Sequence, residues 1–78
     1  MVRVGLVGCG TIGSELALAI QRTYRQVARV TALHDTDRAR AHQLARRLHP
    51  HPPVVSLPAL IRASDLVLEA ASVQAAGD

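Results

Sequence analysis

Seventy-eight residues suffice for one small domain, and with 49% apolar residues but a single aromatic, Tyr24, its core must come from Val, Leu, Ile and Ala. Nine basic residues, all arginine, stand against six acids for a net charge of +3. Scattered along helical patterns and without aromatic stacking platforms, they read as solvated faces and argue against a nucleic-acid partner. Cys9 is the only cysteine, which excludes an internal disulfide, and no apolar run approaches the ~20 residues of a membrane span. Glycines interrupt the opening apolar run too early for a signal segment, so a cytoplasmic protein without a membrane partner is expected.

Residues 2–7 read as a first strand, nearly continuous in apolar side chains, as when both faces are covered. Arg3 lies at its start, where it can reach solvent. Gly8, Gly10 and Gly13 follow in G-x-G-x-x-G spacing. At a strand-to-helix turn the first glycine permits the tight bend and the second leaves room for a pyrophosphate against the backbone. The third lets the new helix pack close on the strand. A helix is predicted over 11–24, with Ile12, Leu16, Ala19, Ile20 and Thr23 as its apolar stripe. Glu15 near its start and Arg22 and Arg25 near its end suit the helix dipole.

Residues 28–34 form the second predicted strand and Asp35 ends it. Thr36 or Asp37 then serves as N-cap of a second helix, whose stripe is Ala41, Leu44, Ala45 and Leu48. Arg38, Arg40, His42, Arg46 and Arg47 cover its outside. His49-Pro50-His51-Pro52-Pro53 cannot continue that helix. A short third strand is expected at 54–57, a helical turn or two at 58–63 and a fourth strand at 66–71, with the start of a further helix after it. The β-α-β-α-β-α-β alternation implies a parallel sheet with right-handed crossovers. The expectation is a Rossmann-type α/β domain over 1–78, strand order 3-2-1-4, helices on both faces.

Glycines in this spacing also mark ordinary turns. Here a strand precedes them, a helix follows, and Asp35 stands 22 residues after Gly13, which together point to a dinucleotide site. The Asp35 carboxylate is placed to accept hydrogen bonds from the adenosine ribose, the alternative being a helix cap that Thr36 and Asp37 can supply instead. Its charge would repel a 2′-phosphate by about 1–4 kcal/mol at 4 Å, favouring NAD over NADP unless Arg38 turns toward the ribose. The backbone N–H groups of Thr11 and Ile12 are candidate phosphate donors. Cys9, inside the turn with no histidine near in sequence, reads as a buried inert thiol rather than a nucleophile. The histidines lack a metal-ligand pattern, and His34 beside Asp35 is a candidate wall of the adenine pocket. Glu69 has two readings, a nicotinamide-side group or a solvent-facing residue of an edge strand. Ala70, Ala71 and Ser72 offer small side chains and backbone to the nicotinamide ribose.

Val-Gly-Leu-Val-Gly-Cys-Gly-Thr-Ile-Gly at 4–13, Leu-His-Asp-Thr-Asp at 33–37 and Asp-Leu-Val-Leu-Glu-Ala-Ala-Ser at 65–72 resemble the N-terminal domain of L-aspartate dehydrogenases. Glu-Ala-Ala-Ser is the discriminating piece, since Gly-Cys-Gly-x-Ile-Gly is shared with many nicotinamide enzymes. The resemblance implies oxidation of aspartate to iminoaspartate with NAD, or alternatively NADP, as cofactor. It also implies cofactor contacts at Gly8, Gly10, Thr11, Ile12, Gly13, Asp35, Ala71 and Ser72. Thr36 stands where the family often has arginine, which weighs against NADP. The family's catalytic groups lie in a second domain, so the expectation is a truncated nucleotide-binding portion with no catalytic residue of its own. Its fourth strand would have an unpaired edge that invites homo-oligomerisation. The other readings are a non-catalytic nucleotide-binding or dimerisation module, and the N-terminal domain of another nicotinamide dehydrogenase, such as a homoserine dehydrogenase.

Overall fold

Valines favour extended backbone, and the opening run forms β1 (Val2–Val7) at the centre of the sheet in the computed structural model, which describes residues 1–71. Then come α1 (Thr11–Thr23), β2 (Ala28–His34), α2 (Arg38–Arg47), α3 (Leu57–Ala63) and β3 (Leu66–Glu69). All strands are parallel, in the order β2-β1-β3. Successive residues of β1 face opposite layers. Leu6 joins Leu33, Ala41, Leu44 and Leu48 in the core beneath α1 and α2, whereas Gly5 lies under Leu60 of α3 and the Ser64 that caps its end. Helices therefore cover both faces, as expected of a Rossmann-like α/β fold.

The expected order 3-2-1-4 requires correction, because the third strand is not formed. Residues 54–57 contribute one parallel bridge, Val54 to Leu33. The Leu33 N–H donates to the Pro53 carbonyl and the Val55 N–H to the Leu33 carbonyl, both at 2.9 Å. Pro52 and Pro53 have no N–H to extend this ladder. On the other side Ser56 already caps α3, its hydroxyl accepting the Ala59 N–H at 3.3 Å. A single bridge beside β2 is what remains where the third strand was expected.

The α1 stripe also differs. Leu16, Ala19 and Thr23 are exposed, and the buried line runs through Gly13 and Ala17, flanked by the partly buried Ile12, Leu18 and Ile20. Small residues face the sheet because the helix approaches it closely. A stripe sought through large side chains is rotated away from the true contact face. In α2 the expected set Ala41, Leu44, Ala45 and Leu48 is buried throughout.

β3 ends at Glu69 rather than at 71, although the Ala70 N–H still donates to the Val7 carbonyl at 2.7 Å. At its other end Arg3 grips Asp65. The Arg3 backbone N–H and Nε–H donate to Oδ2 at 2.8 and 3.2 Å, and Nη2 donates to Oδ1 at 3.0 Å. The Asp65 N–H returns a bond to the Arg3 carbonyl. Side-chain and backbone hydrogen bonds from Arg3 hold the Asp65 carboxyl down at about 2. Its contribution is therefore complete above the unfolded value of ~3.9 and disappears as pH falls toward the folded value. Asp65→Asn is expected to be less stable than the parent at pH 7 and to lose less stability than the parent between about pH 4.5 and 2.5, followed by urea titration at each pH.

Between Val4 and Gly5 the β1–β2 register skips Thr31, a one-residue bulge in β2. The Thr31 hydroxyl is buried with no hydrogen-bond partner among the described residues. An unsatisfied buried hydroxyl costs about 1–3 kcal/mol. Thr31→Val keeps the shape and removes the polar atom, so a gain of about 1 kcal/mol is expected in chemical denaturation.

Candidate dinucleotide site at the glycine turn

β1 delivers the chain to the carboxyl edge of the sheet, and the three glycines there meet three different constraints. Gly8 has φ +95°, and a Cβ on it would stand 2.5 Å from the Ala71 nitrogen. Its N–H donates to the His34 carbonyl at 2.8 Å, joining the turn to the end of β2. A Cβ on Gly13 would overlap the Gly8 carbonyl oxygen. Gly10 differs from both. A Cβ there would meet one described neighbour within 4 Å, the Arg40 guanidinium at 3.7 Å, so its face is open.

Gly10 also caps α1, and it offers no side-chain hydrogen bond. The N–H groups of Thr11, Ile12 and Gly13 have no partner among the described residues, while the Ser14 N–H closes the first helical bond to the Gly10 carbonyl. Three aligned donors at the positive end of a 13-residue helix, beside a bare glycine, suit an anionic group. An open cleft of about 610 Å³ lies in front of them, lined by Gly10, Thr11, Ser14, Glu15, Arg40 and Arg47.

Asp35 lines a second cleft and touches Cys9 and Arg40 of the first. Its Oδ2 accepts the Cys9 N–H at 2.8 Å and Oδ1 accepts the Asp37 N–H at 2.9 Å, with the side chain 8% exposed. Burial favours its neutral form, yet the N–H groups of Cys9 and Asp37 and the nearby Arg40 outweigh burial and hold the carboxyl below its ordinary value. Asp35 thus fixes the conformation of the glycine turn, a role that residue spacing does not reveal. Each carboxylate oxygen retains further acceptor capacity for a hydroxyl. The neighbouring cleft of about 340 Å³ is lined by His34, Asp35, Thr36, Arg38, Val55 and Ser56. His34 belongs to this wall, and its Nδ1–H donates to the Val55 carbonyl at 2.9 Å. Asp37 proves to be the α2 cap, its Oδ1 accepting the Arg40 N–H at 3.2 Å.

Cys9 is buried, and desolvation, helped by the Asp35 charge, pushes its thiol up to about 11. At about pH 8 the nucleophilic thiolate is scarce and shielded. Iodoacetamide is expected to leave Cys9 unmodified in the folded chain and to label it fully in urea, read by mass.

Of the expected cofactor residues, Gly8, Gly10, Thr11, Ile12, Gly13 and Asp35 gather around the turn. The Ala71 backbone lies against Gly8, and its N–H donates to the Glu69 carboxylate at 2.8 Å. Ser72 lies outside the described residues. Arg40, expected only as outer cover, stands in the first turn of α2. Side chains there lean back toward the helix start, and Nη1 comes to 4.0 Å from Asp35. That position after an N-cap is the signal that could have found it. Among the described residues no group of His, Cys, Asp or Glu could hold a metal, and no helix is long and apolar enough to cross a membrane.

Comparison with known proteins agrees with this geometry. The chain is 41% identical over 75 residues to an L-aspartate dehydrogenase of Methanocella arvoryzae, covering 96% of this chain and 27% of that protein. It is 37% identical over 76 residues to one from Methanosarcina acetivorans, covering 96% and 28%, and 34% identical over 80 residues to one from Nitrosopumilus maritimus, covering 100% and 29%. The chain thus spans under a third of the length of these relatives. No solved structure matches it significantly. Residues 8–78 match the family described as homoserine dehydrogenase, NAD binding domain. The chain belongs to that family of NAD-binding domains.

Proposed function

We propose that this chain is the nucleotide-binding portion of an oxidoreductase of the L-aspartate dehydrogenase type, which converts aspartate to iminoaspartate by hydride transfer. The bound dinucleotide supplies the hydride acceptor, and NAD is the preferred form. The observation that carries this reading is the open face of Gly10 beside the N–H groups of Thr11, Ile12 and Gly13, which lack partners among the described residues. Those groups take the diphosphate. Asp35 accepts the adenosine ribose hydroxyls, and the cleft bounded by His34 and Ser56 takes the adenine. Ala71 and Ser72 meet the nicotinamide ribose. No residue of this chain is assigned to catalysis. Titration of the folded chain with millimolar NAD in a calorimeter is expected to give saturable heat, and an absence of heat would overturn the proposal.

A second reading, a dimerising module, draws on Leu66 and Val67 of β3 and Ile61 of α3, which are exposed together with the outer edge of the sheet. Concentration-dependent sedimentation that does not respond to NAD would favour it.

A further inference from the structure

We propose that Arg40 is a specificity-determining residue. By standing against Asp35 it offsets the carboxylate's charge, so that the site admits a 2′-phosphorylated adenosine dinucleotide as well as the unphosphorylated one. This inference rests on the dinucleotide reading above. Asp35 cannot shed its charge by taking up a proton near neutrality, because the N–H groups of Cys9 and Asp37 both stabilise the carboxylate. An uncompensated carboxylate at the ribose end would exclude a second anion. Only a cation can relieve that exclusion.

Arg40 is placed to supply it. Its Nη1 lies 4.0 Å from Asp35 Oδ2, and the same nitrogen is 3.7 Å from the point where a Gly10 Cβ would sit. It therefore spans the ribose-binding acid and the bare backbone of the turn. Its side chain is 53% exposed while that of Asp35 is 8% exposed, so it covers the carboxylate from the solvent side. The surrounding charges make the balance sensitive. Asp35, Asp37 and Glu15 supply three negative groups around the two clefts, and Arg38, Arg40 and Arg47 three positive ones. Removal of Arg40 leaves the neighbourhood net negative. Arg38 opens on the adenine side, with Thr36 and Ser56, and Arg47 lies at the far end of α2. Of these three arginines it is Arg40 that pairs with Asp35.

The test compares dissociation constants for NAD and NADP by calorimetry in the unsubstituted chain, Arg40→Ala, Arg40→Lys, Asp35→Asn and the double variant that combines Asp35→Asn with Arg40→Ala. Circular dichroism verifies folding of each. Arg40→Ala is expected to weaken NADP about tenfold and NAD less than about threefold, with Arg40→Lys restoring most of the loss. In the Asp35→Asn background the same removal should change the NADP-to-NAD ratio by less than about threefold, because the charge to be offset is gone. Equal weakening of both dinucleotides, no weakening of either, or an undiminished ratio change in the Asp35→Asn background would each overturn the role given to Arg40. If the unsubstituted chain binds NAD but not NADP, this inference alone fails. If it binds neither, the dinucleotide reading fails and takes this inference with it.

Discussion

Gly13→Ala is expected to cost the chain more than ~3 kcal/mol and to leave little folded protein at about 25 °C, because the added methyl has nowhere to go. It would overlap the Gly8 carbonyl oxygen and lie 2.9 Å from the Gly8 carbonyl carbon. Neither is the tip of a flexible side chain. Gly8 is held by its own φ of +95° and by the bond from its N–H to the His34 carbonyl. Relief must therefore come from lifting α1 off the sheet, which would strip Ala17 and loosen Ile12 and Ile20 from the core. Gly10→Ala is the control. Among the described residues its methyl meets only the Arg40 guanidinium, at an ordinary 3.7 Å, so stability should change by no more than about 1 kcal/mol, the usual loss when alanine replaces a glycine cap. NAD binding by Gly10→Ala should nonetheless fall by at least about tenfold, since the methyl occupies the space in front of the phosphate donors. Urea denaturation and NAD titration of the two variants separate the roles. Two glycines of one motif should then behave oppositely, one failing to fold and the other folding without binding.

The contrast shows which features can be read from residue types alone. The bounds of β1 and β2, the α2 core and the position of Asp35 follow from apolar runs, helical spacing and turn chemistry, and each is local. The features that escape such reading depend on what another part of the chain brings alongside. Gly5 looks like a weak point in a strand, yet α3 crosses so closely that a Cβ would run into Leu60 and Ser64. Arg3 and Asp65 are 62 positions apart and meet only because β3 returns parallel to β1. The α1 contact face eludes a search for large apolar side chains, because Gly13 and Ala17 are small for the same reason that they are buried. The third strand is the exception, since it fails on a local detail, two prolines before it and a helix cap after it, which leave no length for a ladder. Arg40 escapes because an exposed arginine on a basic helix is indistinguishable, by pattern, from the others beside it.

Asp35→Ala is the second large effect expected, and it tests whether the acid organises the turn as well as the ligand. Its two oxygens accept the N–H groups of Cys9 and Asp37, and its side chain is 8% exposed, so water can replace it only in part. Two donors deprived of a charged acceptor should cost about 2–4 kcal/mol in urea denaturation at about pH 7. The acid limb provides a second sign. Because the folded carboxyl lies below its unfolded value, Asp35 stabilises the chain above ~3.9 and ceases to do so as pH falls through its folded value. The parent should therefore lose stability across that range, and the variant should have a flatter profile. NAD binding should fall at least about tenfold at the same time, from loss of the ribose acceptor and of the turn geometry together. A variant as stable as the parent that no longer binds NAD would confine Asp35 to ligand contact. A destabilised variant that still bound NAD at parental affinity would confine it to the turn and remove the ribose role.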